Sequence, residues 1–228
     1  MAKEFTKNMF IMLLAIMIGI IIITYFVADI INRSKIETLE ETIITVKGKS
    51  ENFTSYFLKS SVVLDQARED RAFGNYHFDL AFLWYQSALF EKNSSLMYLY
   101  KERGIDNCTN ALPNYYNSYL NFEEAKNFFI DTKNFSEEKH LYVLDLYITL
   151  TESGSRLAML RYNASIYLMY LTENLTFNVA NNSVIYMENV TDLMGLFEMT
   201  MQSYKEELKK YEQIQEVIDE YEFFDEIR

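Results

Sequence analysis

The sequence predicts an all-α protein in which an N-terminal transmembrane helix continues into a stalk and then into a multi-helix bundle. Three observations predict this class. Six glycines and one proline are too few to supply the turns of a many-stranded sheet. The stretch 9–28 is an uninterrupted apolar run, and apolar residues beyond it recur at helical spacing. The 16% content of aromatic residues provides enough apolar volume for a sizeable core.

The apolar run near the N-terminus has the length of a membrane span. Twenty helical residues extend about 30 Å, which matches the hydrocarbon thickness of a bilayer. A cleaved signal peptide has a shorter apolar region and small residues before its cleavage site, whereas Phe26 is bulky. We therefore predict an uncleaved signal anchor at residues 9–31, which contacts the lipid bilayer, and a short cytoplasmic tail at residues 1–8.

Acceptor motifs for N-glycosylation, Asn-X-Ser/Thr, are unusually frequent. Nine of the 18 asparagines begin such a motif, although Ser and Thr occupy only 29 of the 228 positions. Asn32 lies too close to the membrane edge to be retained. The eight candidate sites are Asn52, Asn93, Asn107, Asn134, Asn163, Asn174, Asn181 and Asn189. Because glycans are added outside the cytoplasm, this excess predicts that the bundle is extracytoplasmic; the alternative is that helix caps and turns produce these motifs by chance.

An apolar heptad pattern follows the predicted anchor and defines a helical stalk at residues 32–71. Alternating spacings of three and four place one set of residues on a single stripe. The stripe consists of Ile36, Leu39, Ile43, Val46, Ser50, Phe53, Phe57, Ser60, Leu64 and Ala67. It predicts either a coiled coil with another chain or packing against later helices of the same chain.

Residues 72–228 are predicted to form the helical bundle. Breaks are expected near Gly74 and Gly104, a new helix at Pro113, and an N-cap at Ser136. A helix is predicted from there to about Leu171.

The segment 175–187 is the one place where a short β-hairpin fits the pattern, with a turn at Asn181-Asn182. A last helix, from about Val190 to Phe224, carries an apolar stripe that faces the bundle and an acidic outer face.

The aromatic residues are expected to build the core, with tyrosine hydroxyls at its rim; alternatively they line a ligand cleft. They include Trp84, Tyr85, Tyr115, Tyr116, Tyr119, Tyr142, Tyr147, Tyr162, Tyr167 and Tyr170.

Charge and motif content argue against several classes of function. A net charge of −12 disfavours nucleic-acid binding, which needs Lys and Arg. Glu137 and His140 have the Glu-x-x-His spacing of di-iron bundles, but the sequence holds only two histidines and no second copy of the motif. We predict no metal site, no catalytic residues and no cofactor. The single cysteine, Cys108, is predicted to be a partly buried small hydrophobe rather than a bridge between chains.

These features favour a non-enzymatic, membrane-anchored glycoprotein in the cell membrane with a structural or protein-interaction role, acting through a protein partner or self-association. One alternative is an extracytoplasmic ligand-binding domain that acts through a membrane partner. Another is a pilin-like filament subunit, which also begins with an apolar helix; pilins carry a glutamate shortly after the start of that run, whereas no charge lies here between Lys7 and Asp29.

Overall fold

The computed structural model describes the backbone of residues 2–221 and the side chains of residue 35 and residues 38–221. The elements in chain order are α1 (Ala2–Phe90), α2 (Ser94–Lys133), α3 (Glu138–Glu173), β1 (Leu175–Asn178), β2 (Ser183–Tyr186) and α4 (Thr191–Asp219). The predicted all-α class with one short β-hairpin is therefore confirmed. The chain divides into two compact units, Met1–Glu51 and Asn52–Arg228.

The predicted membrane segment is not among the residues whose side chains the structure describes. This holds for the anchor at 9–31, for the tail at 1–8 and for the first part of the stalk. Across the part of the chain that is described, no helix combines the length and the apolar character that crossing a bilayer requires.

In the unit Asn52–Arg228, four helices form an antiparallel bundle. Connections of three and four residues join α1 to α2 and α2 to α3, and short connections make neighbouring helices antiparallel. The Ser118 hydroxyl of α2 donates a 2.8 Å hydrogen bond to the carbonyl of Ala67 in α1. The aromatic ring of Phe197 in α4 stacks on that of Phe78 in α1, with centroids 6.5 Å apart. The last helix of the bundle therefore packs against the first.

The core of this bundle consists of two clusters, one toward each end. One cluster combines α1 from Phe57 to Ala67 with the second half of α2, the first half of α3 and the second half of α4. The other combines α1 from Phe78 to Ala88 with the first half of α2, the end of α3 and the β-hairpin. The predicted apolar stripe of α4 is confirmed for Tyr204, Tyr211 and Ile218, which are buried in the first cluster.

The heptad stripe of α1 meets two different environments. Phe57, Ser60, Leu64 and Ala67 are all buried by the other helices of the same chain. Leu39, Ile43 and Val46 on the same stripe are 60%, 63% and 59% exposed. The predicted packing within the chain is thus confirmed for the second half of the stripe only.

The predicted helix breaks are wrong at three positions. α1 continues through Gly74, and α2 continues through Gly104 and Pro113. The two glycines allow close packing: a Cβ on Gly74 would lie 2.7 Å from the ring of Tyr115, and one on Gly104 would lie 3.1 Å from a methyl group of Thr172. Pro113 lies on the exposed side of α2, where the carbonyl that loses its helical partner is not buried.

The start of α3 differs from the predicted N-cap at Ser136. The helix begins at Glu138 with Glu137 as its N-cap, which makes no side-chain capping bond. The Ser136 hydroxyl instead donates to the carbonyl of Lys133, which is left without a helical partner at the end of α2. α3 ends at Glu173, two residues beyond the predicted end.

The predicted β-hairpin is confirmed. β1 and β2 pair in antiparallel register, with Leu175 opposite Tyr186 and Asn178 opposite Ser183. Asn182 in the predicted turn adopts a left-handed conformation with φ 46°, which asparagine tolerates better than most residues. α4 ends at Asp219, before the predicted end at Phe224, which lies outside the described residues.

The aromatic residues are divided between core and surface. Tyr85 and Tyr115 are buried as expected. Tyr116, Tyr142 and Tyr170 are wrongly assigned to the core, because each lies about half exposed on the outer face of its helix. Tyrosine tolerates such positions because its hydroxyl can face water.

Candidate functional site

None of the eight candidate glycosylation asparagines is buried. Asn52, Asn93, Asn134, Asn181 and Asn189 are exposed, and the remaining three are half-buried. Asn107, Asn163 and Asn174 belong to this second group. All eight side chains therefore reach the surface of the described structure, which N-glycosylation requires.

The hydrogen bonds of these asparagines divide them into two kinds. Asn93 and Asn189 use the carbonyl oxygen: Asn93 Oδ1 accepts from the backbone N–H of Leu96, and Asn189 Oδ1 accepts from the N–H and hydroxyl of Thr191. Asn107 and Asn174 use the amide nitrogen, which donates to a backbone carbonyl one turn earlier. An N-linked glycan is attached to the amide nitrogen, so the first kind presents that atom more openly.

A cavity of about 430 Å³ lies between α1, α3 and α4. Its apolar wall consists of Phe78, Phe82, Phe197 and Met201. Its polar rim consists of Asp79, Glu198, Gln202 and Lys205. A volume of this size, an apolar lining and a few polar groups are typical of sites for small organic molecules.

Arg161 of α3 supplies the buried cation of this cavity. Its guanidinium carbon lies 4.3 Å from the ring centre of Phe78 and 4.2 Å from that of Tyr204. The side chain is 12% exposed, and its closest carboxylate oxygen, Asp79 Oδ1, is 3.9 Å from Nη1. Its Nε is buried and has no hydrogen-bond partner in the described structure. Two aromatic faces therefore stabilise the charge, while part of its hydrogen-bonding capacity is unused.

A second guanidinium, that of Arg71, has a similar setting. It lies 4.3 Å from the ring centre of Tyr211 and 5.7 Å from that of Phe122. Its Nη1 is also buried without a partner among the described residues. Arg71 does not line the cavity beside Arg161, so the two arginines differ in their access to a ligand.

The structure does not bring the candidate metal-binding residues together. In the described chain, no group of three or more His, Cys, Asp and Glu side chains is close enough to hold a metal ion. His140 packs its ring 5.8 Å from that of Phe53, and Glu137 pairs with Lys139 on the surface. His77 Nδ1 lies 3.2 Å from Asn107 Oδ1.

Cys108 belongs to the second core cluster and is fully buried, whereas the sequence predicted a partly buried small hydrophobe. Burial raises the pKa of its thiol to about 12, and the nearby charge of Glu173 acts in the same direction. The thiolate, which is the reactive form, is therefore scarce at neutral pH.

Sequence reasoning did not single out Arg161 or Phe197. A signal for Arg161 was present, because it is the one charged residue between Arg156 and Glu173 in an otherwise apolar part of α3. Phe197 carries no comparable signal, since its importance depends on the pairing of α4 with α1.

Comparison of this chain with protein-family models, with curated proteins and with solved structures gives no match.

Proposed function

We propose that this chain is a membrane-anchored, N-glycosylated extracytoplasmic protein of the cell envelope with a non-enzymatic role, and that it associates with a second copy of itself through the stalk. The observation that carries the proposal is the exposed half of the α1 stripe. Leu39, Ile43 and Val46 present about 60% of their surface to solvent, although their spacing is that of a buried helical seam. A regular apolar seam that none of the described residues covers favours a protein partner.

The residue types on this seam favour a second copy in parallel orientation. In the heptad, Ile43 occupies an a position and Leu39 a d position, and a β-branched residue at a with Leu at d favours two parallel strands. Lys35 occupies a g position and Glu40 the following e position, both of them exposed. In a parallel pair, Lys35 of each copy faces Glu40 of the other, so the flanking charges attract one another.

The predicted anchor supports the same orientation. Two copies held in one membrane by residues 9–31 project their stalks in the same direction. Tethering also raises the effective concentration of one stripe near the other, so that a short seam is sufficient for association.

The surface position of the candidate glycosylation sites supports an extracytoplasmic bundle. The five exposed asparagines, Asn52, Asn93, Asn134, Asn181 and Asn189, are distributed over three of the helix ends, the hairpin and α1. Asn52 occupies a c position of the heptad, away from the seam. A glycan there leaves the proposed contact between copies open.

Cysteine cross-linking in membranes tests the association. We expect Leu39→Cys and Val46→Cys, both at d positions, to form disulfide-linked dimers under mild oxidation of the full chain. The matched control is Glu41→Cys at an f position, on the opposite side of the same helix. The native Cys108 is buried and gives little background. Equal dimer yields at all three positions, or no dimers at positions 39 and 46, would contradict the proposal.

Deglycosylation tests the location of the bundle. We expect enzymatic removal of N-glycans to increase the gel mobility of protein isolated from its own cells, and protease added to intact cells to digest the bundle. Asn93→Gln and Asn189→Gln should each remove one glycan, while Asn110→Gln, an exposed asparagine outside any acceptor motif, should remove none. A protein that carries no carbohydrate and is protected from external protease would refute this part of the proposal.

A further inference from the structure

The cavity beside Arg161 contains charges of both signs next to an apolar wall. The Nη1 end of Arg161 faces the cavity, because its neighbours Asp79 Oδ1 at 3.9 Å and Met201 Sδ at 4.0 Å both line it. Glu198 and Lys205 lie at the rim. The apolar wall is continuous, since the ring of Phe197 stacks on both Phe78 and Phe82 with centroids 6.5 and 6.1 Å apart.

Arg161 is incompletely neutralised by the protein. A buried guanidinium is normally compensated by carboxylates and by hydrogen bonds to all of its N–H groups. Here the nearest carboxylate, Asp79, is too far for a hydrogen bond and is itself 71% exposed. The buried Nε has no partner in the described structure. Nη1 donates only to the thioether of Met201, at 4.0 Å, which is a weak acceptor. A carboxylate that enters the cavity would therefore gain a charge-assisted hydrogen bond at Nη1 that is stronger than this contact.

Asp79 restricts the kind of anion that fits. A carboxylate bound to Arg161 Nη1 would lie only a few ångströms from the Asp79 carboxylate, and the two negative charges would repel each other. A ligand overcomes this repulsion if it carries its own cation next to its carboxylate. A phosphate or a dicarboxylate would increase the repulsion, and the net charge of −12 disfavours such ligands further.

We propose that this cavity binds a free α-amino acid with an apolar side chain. Arg161 donates to the ligand carboxylate, Asp79 accepts from its ammonium group, and Phe78, Phe82 and Phe197 contact its side chain. Glu198 contributes a second negative charge near the ammonium. The volume of about 430 Å³ is ample for a ligand of this size. This site is independent of the proposed contact between stalks.

Calorimetry on the full chain in lipid nanodiscs tests the proposal with four probes. L-phenylalanine and L-leucine carry both charged groups and an apolar side chain. Phenylpropanoate lacks the ammonium group, and phenethylamine lacks the carboxylate. We expect the two amino acids to bind, and each single-charge analogue of phenylalanine to bind about tenfold more weakly or worse, because each loses one charge-assisted hydrogen bond.

Two variants locate the site. Arg161→Met should abolish binding of L-phenylalanine, with retention of the helical circular dichroism spectrum as the folding control. Asp79 lies on the exposed rim of the cavity, so Asp79→Asn should leave the fold unchanged. It should weaken L-phenylalanine binding and strengthen phenylpropanoate binding, because the repulsive carboxylate is gone. The matched control is Glu69→Gln, an exposed acid on the same helix that does not line the cavity.

The opposite response of the two ligands to Asp79→Asn is the decisive result, because a general loss of structure would weaken both. The proposal is overturned if neither amino acid binds, if phenylpropanoate binds the unmodified protein more tightly than phenylalanine, or if Asp79→Asn changes both affinities in the same direction.

Discussion

The two halves of the α1 stripe carry the same apolar heptad pattern and have opposite environments. From Phe57 to Ala67 the stripe is buried by three other helices of the chain. From Leu39 to Val46 it is mostly exposed. The comparison shows that periodicity determines which side chains share a face of a helix, whereas the partner that covers the face depends on the rest of the fold. One helix can therefore contribute to a core and to a surface without a change in its sequence pattern.

The two halves of the stripe should respond very differently when one leucine in each is truncated. Leu64 is 2% exposed and Leu39 is 60% exposed. We expect Leu64→Ala to lower the free energy of unfolding by about 2–5 kcal/mol, because it leaves a cavity in the first core cluster. Leu39→Ala should change it by less than about 0.5 kcal/mol, as is usual for exposed positions.

Urea denaturation of the full chain, followed by circular dichroism, measures both values. Similar losses for the two variants would mean that the two halves of the stripe are equally covered.

Two glycines on α1 show the same contrast between a packed and an exposed part of the helix. A Cβ on Gly74 would lie 2.7 Å from the ring of Tyr115, which is buried and held by a 2.8 Å hydrogen bond from its hydroxyl to Asn75 Oδ1. A Cβ on Gly48 would meet nothing within 4 Å. We expect Gly74→Ala to destabilise the bundle by about 1–3 kcal/mol through overpacking. Gly48→Ala should stabilise the helix locally by up to about 1 kcal/mol, because alanine has the higher helix propensity.

Thermal unfolding measures the first glycine variant, and amide hydrogen exchange around residue 48 measures the second. If both substitutions changed the stability in the same direction, packing would not distinguish the two halves of α1.

These glycines also show how far the sequence alone could predict the fold. Helical class, the hairpin and the turn at Asn181-Asn182 follow from local patterns, and local patterns are what a sequence displays. The breaks expected at Gly74 and Gly104 do not occur; both glycines lie inside continuous helices, in close contact with Tyr115 and Thr172 on other helices. A glycine that breaks a helix and one that admits a neighbour look identical in the sequence.

The cavity was less predictable than the fold for a related reason. Its wall requires that Phe197 of α4 stack on Phe78 and Phe82 of α1, about 115 residues earlier in the chain. Arg161 was visible as an isolated charge in an apolar stretch, but an isolated arginine equally predicts a side chain that extends to the surface. Only the packing of three helices shows that its guanidinium lies between two aromatic rings.

A buried glutamate of the bundle and an exposed glutamate of the stalk should differ in how they affect the pH dependence of stability. This effect is smaller than those expected for the leucine and glycine variants. Burial by itself would raise the pKa of Glu207, but hydrogen bonding and the charges of Arg156 and Lys210 outweigh it and lower that pKa below its usual value. A carboxylate with a lowered pKa in the folded state contributes stability above its unfolded-state pKa and loses it as the pH falls through the folded-state pKa.

We expect the melting temperature of the unmodified protein to fall between pH 5 and pH 3, and Glu207→Gln to make that fall shallower. The matched control is Glu41→Gln, at an exposed position of the stalk. An equal effect of the two substitutions would show that bundle and stalk do not differ in how they stabilise a carboxylate, and it would remove the electrostatic part of the contrast between the two regions.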